Sequence, residues 1–434
     1  MKSRIFAVVL LIGPGLTLAS AQTSLQIPLQ FDFLNPGAKS MGLGGAFVGL
    51  ADDATAAFAN PAGLTQIGKS EMSFEARATR LETRFLQRGR LSGVISNQLT
   101  DTVQGAVFGE SPGRHVGVGF VSAVYVDPSH RWFVAAYRHE LVRVDQTVLS
   151  EGVFQKAPEE FTSRRDSPQE GVRKISITGY GGSGSYNVRR GLAIGATVAV
   201  YTFDMASVFR RFDTVGFLGP PDFAVELARA TQEGKNVAVA PSLGVMIARG
   251  PVRLGGLYRH GASFDFVTSD GATPDRDGVF RVPDTLAFGV SFRPRPTILV
   301  AADITRVSYS RIREDFVTAQ AIGVGREASF DLDNGVEVHA GLQYLAASRR
   351  FIPRLRVGAW YDPDHSVHFT PSPQSVTAVD RLFDERLATA LSTGKNQVHF
   401  TGGAGLTFNP HLELNAGFDL ASTTKLFSTS LIVR

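Results

Sequence analysis

The stretch VHFTGGAGLTFNPHLELNAGFDL, residues 398–420, decides the fold class. Up to Asn409, apolar side chains share one parity, while polar or small ones occupy the other: Val398, Phe400, Ala404, Leu406 and Phe408 alternate with His399, Thr401, Gly403, Gly405 and Thr407. From Leu412 to Leu420 the alternation is repeated. Successive side chains of a β-strand point to opposite faces of the sheet. The stretch therefore predicts two strands, joined by a tight turn, each with one apolar face.

The same alternation recurs along the chain, as in residues 286–292 and 336–344. These runs last about ten residues or more, which is nearer to a tilted membrane strand than to the strands of five or six residues usual in soluble sheets. No stretch of 18 or more apolar residues follows the N-terminus, as a membrane-spanning helix would require. The pattern predicts an all-β protein, a transmembrane antiparallel β-barrel.

The predicted connections alternate between tight turns and long loops, as in outer-membrane barrels. Long connections are expected at roughly 87–113, 146–171, 209–234, 268–280, 316–333 and 365–395. Fourteen strands are predicted near residues 70–86, 114–126, 131–145, 172–188, 191–207, 235–249, 251–267, 280–293, 296–315, 334–348, 353–364, 396–409, 411–421 and 425–434. Bacterial single-chain barrels have an even number of strands. Strand-like runs within 89–109 leave open a count that differs by two.

The first 21 residues read as a cleaved signal peptide. Lys2 and Arg4 precede an apolar run at Ile5–Ile12, and Ala19-Ser20-Ala21 resembles a cleavage site. The domains expected are the signal peptide 1–21, an N-terminal hatch 22–69 and an outer-membrane barrel 70–434. Secretion to the Gram-negative outer membrane is the predicted localisation, with membrane lipid as a partner and a monomer as the expected state.

Composition argues against several other classes of protein. The 44 Lys and Arg become 42 without Lys2 and Arg4, against 40 Asp and Glu, and this near balance argues against a nucleic-acid partner. The chain contains no cysteine, so it can form neither a disulfide nor a thiolate metal site. His365 and His368 lie close together in a predicted loop, where solvated side chains are expected rather than a metal site. No cofactor is expected.

Residues 22–69 differ from the rest of the chain. They lack sustained alternation and are rich in glycine, yet they are too apolar for a disordered tail. A fourteen-stranded barrel has a lumen wide enough to need a plug, so this segment is predicted to fill the lumen. Glycines on the lumen parity of the strands would leave room for it: Gly195, Gly289, Gly341, Gly358 and Gly403.

Three motifs carry a resemblance to a known family. They are the glycine-rich run Gly37–Val48, the run Asn60-Pro61-Ala62-Gly63-Leu64 with Ala51-Asp52-Asp53-Ala54 before it, and Val357–Pro363, which contains Gly358 and Tyr361-Asp362-Pro363. Together they resemble the FadL/TodX-type outer-membrane transporters of long-chain fatty acids and hydrocarbons. The resemblance implies a hatched barrel that passes hydrophobic small molecules passively, with Asn60, Pro61, Ala62 and Gly63 in the hatch. PorV-like barrels, which act in protein secretion or surface attachment, carry related motifs, so a protein-interaction role remains the alternative.

Two loop segments show helical spacing. Phe223, Leu227 and Ala230 follow the potential cap Asp222. The resembling family places a ligand-receiving loop there, so Phe217, Leu218, Phe223 and Leu227 are the candidate ligand-binding residues; an amphipathic helix packed on the barrel rim is the alternative. The second pattern, which includes Leu387 and Leu391, predicts a helix that simply packs on the barrel.

Two further features bear on mechanism. Asp52-Asp53 could form a carboxylate pair for acid–base chemistry, but no histidine lies near it in sequence, and helix-capping or solvated side chains are expected instead. No nucleophile–base arrangement stands out, so an enzyme is not expected. The predicted third strand, 131–145, contains neither Gly nor Pro, and the sequence therefore does not locate the strand kink that opens a lateral exit in the resembling family.

Overall fold

The computed structural model describes residues 33, 35–91, 105–156, 163–165, 168–216, 219–271, 274–313, 316, 330–346, 352–371 and 378–434. Its main sheet contains a closed antiparallel ring of fourteen strands, because β1 pairs with both β2 and β20 while β8 pairs with β9. The predicted transmembrane barrel and its strand count are confirmed. The predicted signal peptide lies outside the described residues.

The ring strands follow chain order: β1 Glu71–Gly89, β2 Ala106–Val126, β3 Trp132–Ser150, β6 Gln169–Arg189, β7 Leu192–Thr214, β8 Pro221–Arg249, β9 Val252–Arg259, β12 Thr285–Arg295, β13 Ile298–Val307, β15 Gly335–Leu345, β16 Ile352–Asp362, β18 Gln397–Asn409, β19 Leu412–Leu420 and β20 Thr424–Val433. Shorter strands lie in the connections: β4 Phe154–Lys156, β5 Ser163–Arg165, β10 Ser263–Ser269, β11 Arg276–Arg281, β14 Phe330–Asp331 and β17 His368–Phe369. The helices are α1 Ala38–Gly42, α2 Ala56–Ala59, the 3₁₀ helix Pro61–Gln66, α3 Ser310–Ile312 and α4 Ala378–Ala390.

The apolar face of the strands points outward, and the polar face points into the ring. Phe400 is 65% exposed whereas the neighbouring Thr401 is 6% exposed, and Leu414 is 43% exposed beside the fully buried Asn415. A water-soluble sheet would bury its apolar face, so this arrangement suits an apolar surrounding such as the hydrocarbon of a bilayer. No helix among the described residues is long and apolar enough to span a membrane.

Connections sort to the two ends of the barrel. The turn end carries tight connections, such as those between β6 and β7 and between β8 and β9, and the loop end carries the longer ones. At the loop end, α4 confirms the second predicted helix, with Leu387 and Leu391 buried.

The helix and the long loop predicted within 209–234 are wrong. β7 and β8 run through this region, and β8 has 29 residues, far more than the roughly ten that cross a bilayer. Cross-strand pairs such as Arg211↔Ala228 satisfy the backbone that a helix would otherwise have satisfied internally. Phe223 also packs edge-on against Phe212 of β7, with ring centroids 5.3 Å apart. Tertiary pairing therefore overrides the helical spacing.

The predicted strands 251–267 and 280–293 are each interrupted. β9 and β10 are separated at residues 260–262, and β11 and β12 at residues 282–284. The Asp284 carboxylate joins the two breaks, since it accepts a hydrogen bond from the Gly261 amide at 2.8 Å and contacts His260 Nδ1 at 3.0 Å. A Cβ on Gly261 would overlap the Val282 carbonyl, which explains the glycine at this crossing.

Candidate functional site

The N-terminal segment, residues 35–67, lies inside the ring. Nearly all of its side chains from Gly37 to Leu64 are buried. Its backbone meets the wall glycines that the sequence singled out: a Cβ on Gly195 would lie 2.5 Å from Pro61 C, one on Gly341 2.7 Å from Leu43 Cα, one on Gly358 2.6 Å from Leu43 C and one on Gly403 3.2 Å from Gly42 Cα, while one on Gly289 would overlap the Gly49 amide. Segment and wall therefore touch backbone to backbone, without room for a methyl group.

Two carboxylates of the wall hold this segment through its amides. Asp303 of β13 accepts hydrogen bonds from Phe47 N at 2.5 Å and Val48 N at 2.7 Å. Glu75 of β1, which is fully buried, accepts one from Gly37 N at 2.9 Å. A carboxylate that accepts from backbone N–H groups makes a charge-assisted bond, stronger than a neutral one. The N-terminal segment is thus fixed at two separate points of the wall.

The motif residues Asn60 to Gly63 form one turn against β8. The Asn60 amide donates to Val48 O at 3.0 Å and to Val245 O at 3.3 Å, and its side-chain oxygen accepts from Ala62 N at 3.2 Å. Pro61 is the first residue of the 3₁₀ helix, where its missing N–H costs nothing. Asn60 therefore ties together the turn, the N-terminal segment and the barrel wall.

Gly63 is needed for a different reason from the one the turn chemistry suggests. Asn-Pro followed by glycine would suggest a positive φ, but Gly63 is not among the positive-φ residues of the described chain. Instead, a Cβ on Gly63 would lie 2.5 Å from the carbonyl oxygen of Ala51. Ala51 itself has a φ of 33°, an unusual value for alanine. Glycine is therefore required at position 63 because the backbone of Ala51 packs closely against it, and not because of its backbone conformation.

Asp52 and Asp53 have structural partners. Asp53 accepts hydrogen bonds from Thr55 N at 3.0 Å and Thr55 Oγ1 at 2.6 Å, next to the start of α2. Asp52 contacts Lys39 Nζ at 2.5 Å and lies 3.8 Å from Arg293 of the wall. Burial raises the pKa of the Asp52 carboxyl, but the nearby Lys39, Arg253 and Arg293 outweigh burial and hold this pKa below its usual value. Asp52 is therefore a charged tie between segment and wall.

An aromatic cluster lies between the N-terminal segment and the inner wall. Phe58 of α2 packs edge-on against His139 of β3, with centroids 4.2 Å apart, and against Tyr137 at 5.9 Å. Phe120 of β2 stacks on Tyr137 at 5.7 Å. The Arg259 guanidinium of β9 lies over the Phe58 ring at 3.7 Å and donates to the Phe58 carbonyl at 2.8 Å. We refer to Phe58, Phe120, Tyr137, His139 and Arg259 as the inner cluster.

The polar groups of the inner cluster are incompletely paired. His139 is 1% exposed, and within the described residues neither of its ring nitrogens has a hydrogen-bond partner. Arg259 is 7% exposed and forms no ion pair with any described carboxylate. A small cavity of about the size of a water molecule adjoins Arg259, Tyr201, Phe33 and Pro283. An aromatic lining with a few polar groups is typical of small-molecule sites.

The ladder between β2 and β3 is incomplete, and it ends at the inner cluster. Paired positions run from Val126↔Phe133 to Phe120↔His139, although β2 continues to Ala106 and β3 to Ser150. Beyond the last pair, the contacts between the strands involve side chains. His115 Nε2 lies 3.0 Å from Glu140 Oε1, and Ser111 Oγ donates to Thr147 O at 2.6 Å. In the loop-end half of the barrel, β2 and β3 are thus held together by side chains and not by a backbone ladder.

Two bulges border this break. The pairing of β1 with β2 shifts by one residue at Gly119, and the pairing of β3 with β6 shifts at Leu141. A β-bulge bends its strand and ends regular pairing. Gly119 lies against Glu75, the carboxylate that holds Gly37. The start of the N-terminal segment and the break in the wall therefore share one side chain.

The predicted ligand-binding residues lie elsewhere. Phe223 and Leu227 are exposed on the loop-end part of β8, away from the inner cluster, and Phe217 and Leu218 lie outside the described residues. Their ligand-binding role stays a prediction. His365 lies 3.2 Å from Asp362, and His368 lies 3.0 Å from Asp364. Within the part of the chain that the structure describes, no group of side chains is arranged to hold a metal ion.

Sequence reasoning identified Asn60–Gly63 and missed the inner cluster. Its members come from α2, β2, β3 and β9. Phe120, Tyr137 and His139 each occupy an inward-facing position of their strand, and the alternation of the sequence is enough to assign that face. Parity does not show which strands bring these rings together. It also does not show that the pairing of β2 with β3 ends at Phe120 and His139.

Comparisons with known proteins bear on the fold. No family model matches the sequence, and no curated protein matches it. Solved structures match over nearly the whole length. A Pseudomonas aeruginosa FadL homologue is 14% identical with a TM-score of 0.64, covering 94% of this chain and 99% of that one.

Two toluene transporters also match. For TodX of P. putida the identity is 15%, the TM-score 0.54 and the coverage 93% and 97%. For TbuX of Ralstonia pickettii these values are 12%, 0.52, 93% and 98%. The resemblance that the sequence motifs predicted is confirmed as a likeness of structure, and the chain has the fold of the FadL/TodX-type barrels.

Proposed function

We propose that the chain is an outer-membrane channel that passes hydrophobic small molecules passively, such as long-chain fatty acids or hydrocarbons. One observation carries the proposal: the inner cluster lies where the β2–β3 ladder stops. An apolar molecule among these rings has only side-chain contacts, and no backbone ladder, between it and the outer face of the wall. The related folds of a FadL homologue and two toluene transporters support this assignment.

In this proposal the solute moves down its own partition gradient. An apolar molecule gains roughly 25 cal/mol for each Å² of apolar surface it removes from water. The rings of the inner cluster offer such a surface, and the bilayer outside the wall offers a larger one. Exit sideways between β2 and β3 would deliver the solute to hydrocarbon without a return to water. The two bulges, at Gly119 and Leu141, give the wall its break.

Residues 22–69 are proposed to act as the hatch. The site is closely packed when the N-terminal segment is docked, so passage requires the segment to shift. Phe58 belongs both to that segment and to the inner cluster, so a shift of α2 would open space among the rings. Through Glu75, the same shift would reach the bulge at Gly119. Asn60 contributes to the stability of the docked state, because its amide donates to Val245 O of the wall and its other two hydrogen bonds fix the turn itself.

The location follows from the same features. A cleaved signal at 1–21 would export the chain, and the exposed apolar strand faces would place it in the outer membrane as a monomer. We expect the purified protein to require detergent, to show strand-dominated circular dichroism and to migrate differently on gels before and after heating. A chain that stays monomeric and soluble without detergent would contradict this location.

Uptake measurements test the transport proposal. The protein is expressed in a cell that lacks its own transporter, and uptake of a long-chain fatty acid and of toluene is compared with an empty-vector control. Asn60→Ala should alter uptake at normal barrel abundance, because loss of a buried hydrogen-bonding group costs about 1 to 3 kcal/mol. Thr65→Ala is the matched control, since Thr65 bonds only to Ala62 within the same turn.

The outcomes separate the two candidate functions. Uptake above the control for either solute supports a channel, and the solute preferred names its class. If several apolar solutes all enter no faster than with the empty vector, although the barrel is present in the outer membrane, transport fails. A barrel that acts in protein secretion or surface attachment then replaces it.

A further inference from the structure

Exposed arginines occupy four consecutive turns around the turn end of the barrel. We define the arginine arc as Arg131 just before β3, Arg189 at the end of β6 with Arg190 in the turn that follows it, Arg249 at the end of β8, and Arg295 at the end of β12. The turns at these positions join neighbouring strands of the ring, so the arc follows about half of the circumference without a gap.

The arc carries positive charge that the protein does not neutralise. None of its five members forms a salt bridge with a carboxylate among the described residues. Two arginines towards the loop end do have carboxylate partners: Arg210 lies 3.0 Å from Glu170, and Arg229 lies 2.8 Å from Glu226. Arg293, beside Arg295, pairs inward with Asp52 of the N-terminal segment. An uncompensated row of guanidinium groups favours an anionic partner.

The depth of the arc identifies where that partner lies. Arg131 Nη2 donates to the Tyr186 hydroxyl at 2.8 Å and its guanidinium lies 5.7 Å from the centre of that ring. Tyr186 of β6, Tyr125 of β2 and Trp132 of β3 are all exposed on the outer face of the barrel. The ring centroids of Tyr125 and Trp132 lie 5.6 Å apart. Tyrosine and tryptophan on the outer face mark the level of the lipid headgroups.

The direction of the side chains agrees with this depth. Arg249 has the same parity as Ile247, which is 44% exposed on the outer face of β8. A partner that binds Arg249 and Arg131 together with the outward rings must therefore surround the wall. A protein docked onto the turn end of the barrel would instead contact the turns along the barrel axis and would not reach the outward rings. Guanidinium groups match phosphate oxygens through paired hydrogen bonds.

We propose that the arginine arc binds the phosphate headgroups of the phospholipid leaflet at the turn end, with a preference for anionic phospholipid. The outer rings of Tyr125, Trp132 and Tyr186 hold the barrel at the depth where this contact forms. The arc goes beyond transport, because it fixes the height and tilt of the barrel and does not depend on which solute passes through it.

Lipid binding to the full-length protein in detergent tests the proposal. Native mass spectrometry measures binding of phosphatidylglycerol and phosphatidylcholine to the parent and to the variant R131Q/R189Q/R190Q/R249Q. The preference for phosphatidylglycerol should fall roughly fivefold for each arginine replaced, since one arginine near an anionic surface contributes about 1 kcal/mol. The matched control R88Q/R114Q/R143Q/R306Q removes the same charge from exposed loop-end arginines and should keep the preference.

Three results would overturn the proposal. The first is equal binding of the two lipids by the parent protein. The second is an equal loss of preference in the loop-end control, which would indicate net charge rather than the arc. The third is full displacement of phosphatidylglycerol by inorganic phosphate at the same concentration, which would indicate a free-anion site. Gel migration with and without heating confirms that each variant is folded, and R249Q alone serves if the fourfold variant fails to assemble.

Discussion

Phe120 and His139 form the last paired position of the β2–β3 ladder, and their rings also meet inside the barrel with centroids 5.7 Å apart. The end of the ladder and the inner cluster are thus the same place in the molecule. A change in the packing of these rings therefore acts directly on the point where the backbone ladder between β2 and β3 ends. A disulfide between β2 and β3 would join the wall at this point and leave the rings unchanged.

A cross-link above the last pair should stop passage. A Cβ on Gly113 would lie 3.4 Å from Gln146 Cγ, so Gly113→Cys with Gln146→Cys places two thiols within bonding reach. The chain has no cysteine of its own, so no other disulfide competes. We expect uptake to fall to the empty-vector level in oxidant and to recover in reductant.

The control for this cross-link lies in the paired part of the same two strands. Ala123 and Ala136 are opposite each other and both exposed on the outside. Ala123→Cys with Ala136→Cys joins strands that the ladder already joins, so uptake should be unchanged by oxidant. Equal inhibition of both pairs, or none in either, would show that the β2–β3 break is not the exit.

Methyl groups on the wall glycines should displace the N-terminal segment. Gly358→Ala places a Cβ 2.6 Å from Leu43 C, and overpacking of this kind costs about 1 to 3 kcal/mol. The barrel should still assemble, because its ladder does not involve the segment. We expect faster protease cleavage within residues 37–67 and a higher ion conductance in planar bilayers.

Gly182→Ala is the matched control, since nothing lies within 4 Å of a Cβ there. If both variants behave like the parent, the segment is not held by its fit to the wall. If Gly358→Ala abolishes assembly, the segment takes part in barrel folding rather than in gating.

Depth along the outer face should decide how well a charge is tolerated. Phe418 and Phe408 are similarly exposed, at 43% and 42%, but Phe418 lies six residues along β19 from its start at Leu412, whereas Phe408 lies next to the turn end. Arginine costs roughly 2 to 4 kcal/mol near the midplane and about 0 to 1 near the interface. Phe418→Arg should therefore lower the heat-modifiable fraction far more than Phe408→Arg. Equal losses would argue against the assigned bilayer position.

Acid should loosen the N-terminal segment through Asp52. Because Lys39, Arg253 and Arg293 hold the Asp52 pKa below its usual value of 3.8, the charged pair contributes stability above pH 3.8. That stability is lost as the pH falls through the lowered pKa. We expect hydrogen exchange in residues 37–67, corrected for intrinsic rates, to rise below pH 3.8.

Asp52→Asn provides the reference for this acid response. Its exchange should already be faster at neutral pH, since the amide cannot replace the charge opposite Lys39, and it should change less on acidification. An acid response of the same size in Asp52→Asn would assign the loosening to groups other than Asp52.

The sequence predicts the barrel well because its signal is local. In β18 and β19, parity alone assigns Phe400 outward and Asn415 inward, and the lipid environment enforces that assignment at every position. The wall glycines were also predictable, since a lumen-facing residue without a side chain implies something close by. The lumen itself is not the hydrated space that polar parity suggests: Asn415 is buried and hydrogen-bonded to Arg356 at 2.8 Å.

The features that were not predictable depend on contacts distant in sequence. Leu141 carries a bulge without glycine or proline, because the bulge comes from the mismatch of two ladders rather than from the residue. β8 is a strand at Phe223 because β7 lies beside it. The inner cluster likewise needs the register of four elements, which no periodicity of a single element contains.

The backbone-to-backbone fit of the N-terminal segment has a consequence for how such a barrel can diversify. At Gly358 and Gly403 the wall contacts the N-terminal segment backbone to backbone, so any larger or more polar side chain there would break the fit. We therefore expect a saturation scan to find that substitutions are poorly tolerated on both sides of this contact, in the segment and in the wall. If the chain passes apolar solutes as proposed, changes that adapt it to new solutes should fall on the rings around Phe58 and on the loop end, where a substitution alters shape and polarity without disturbing this fit.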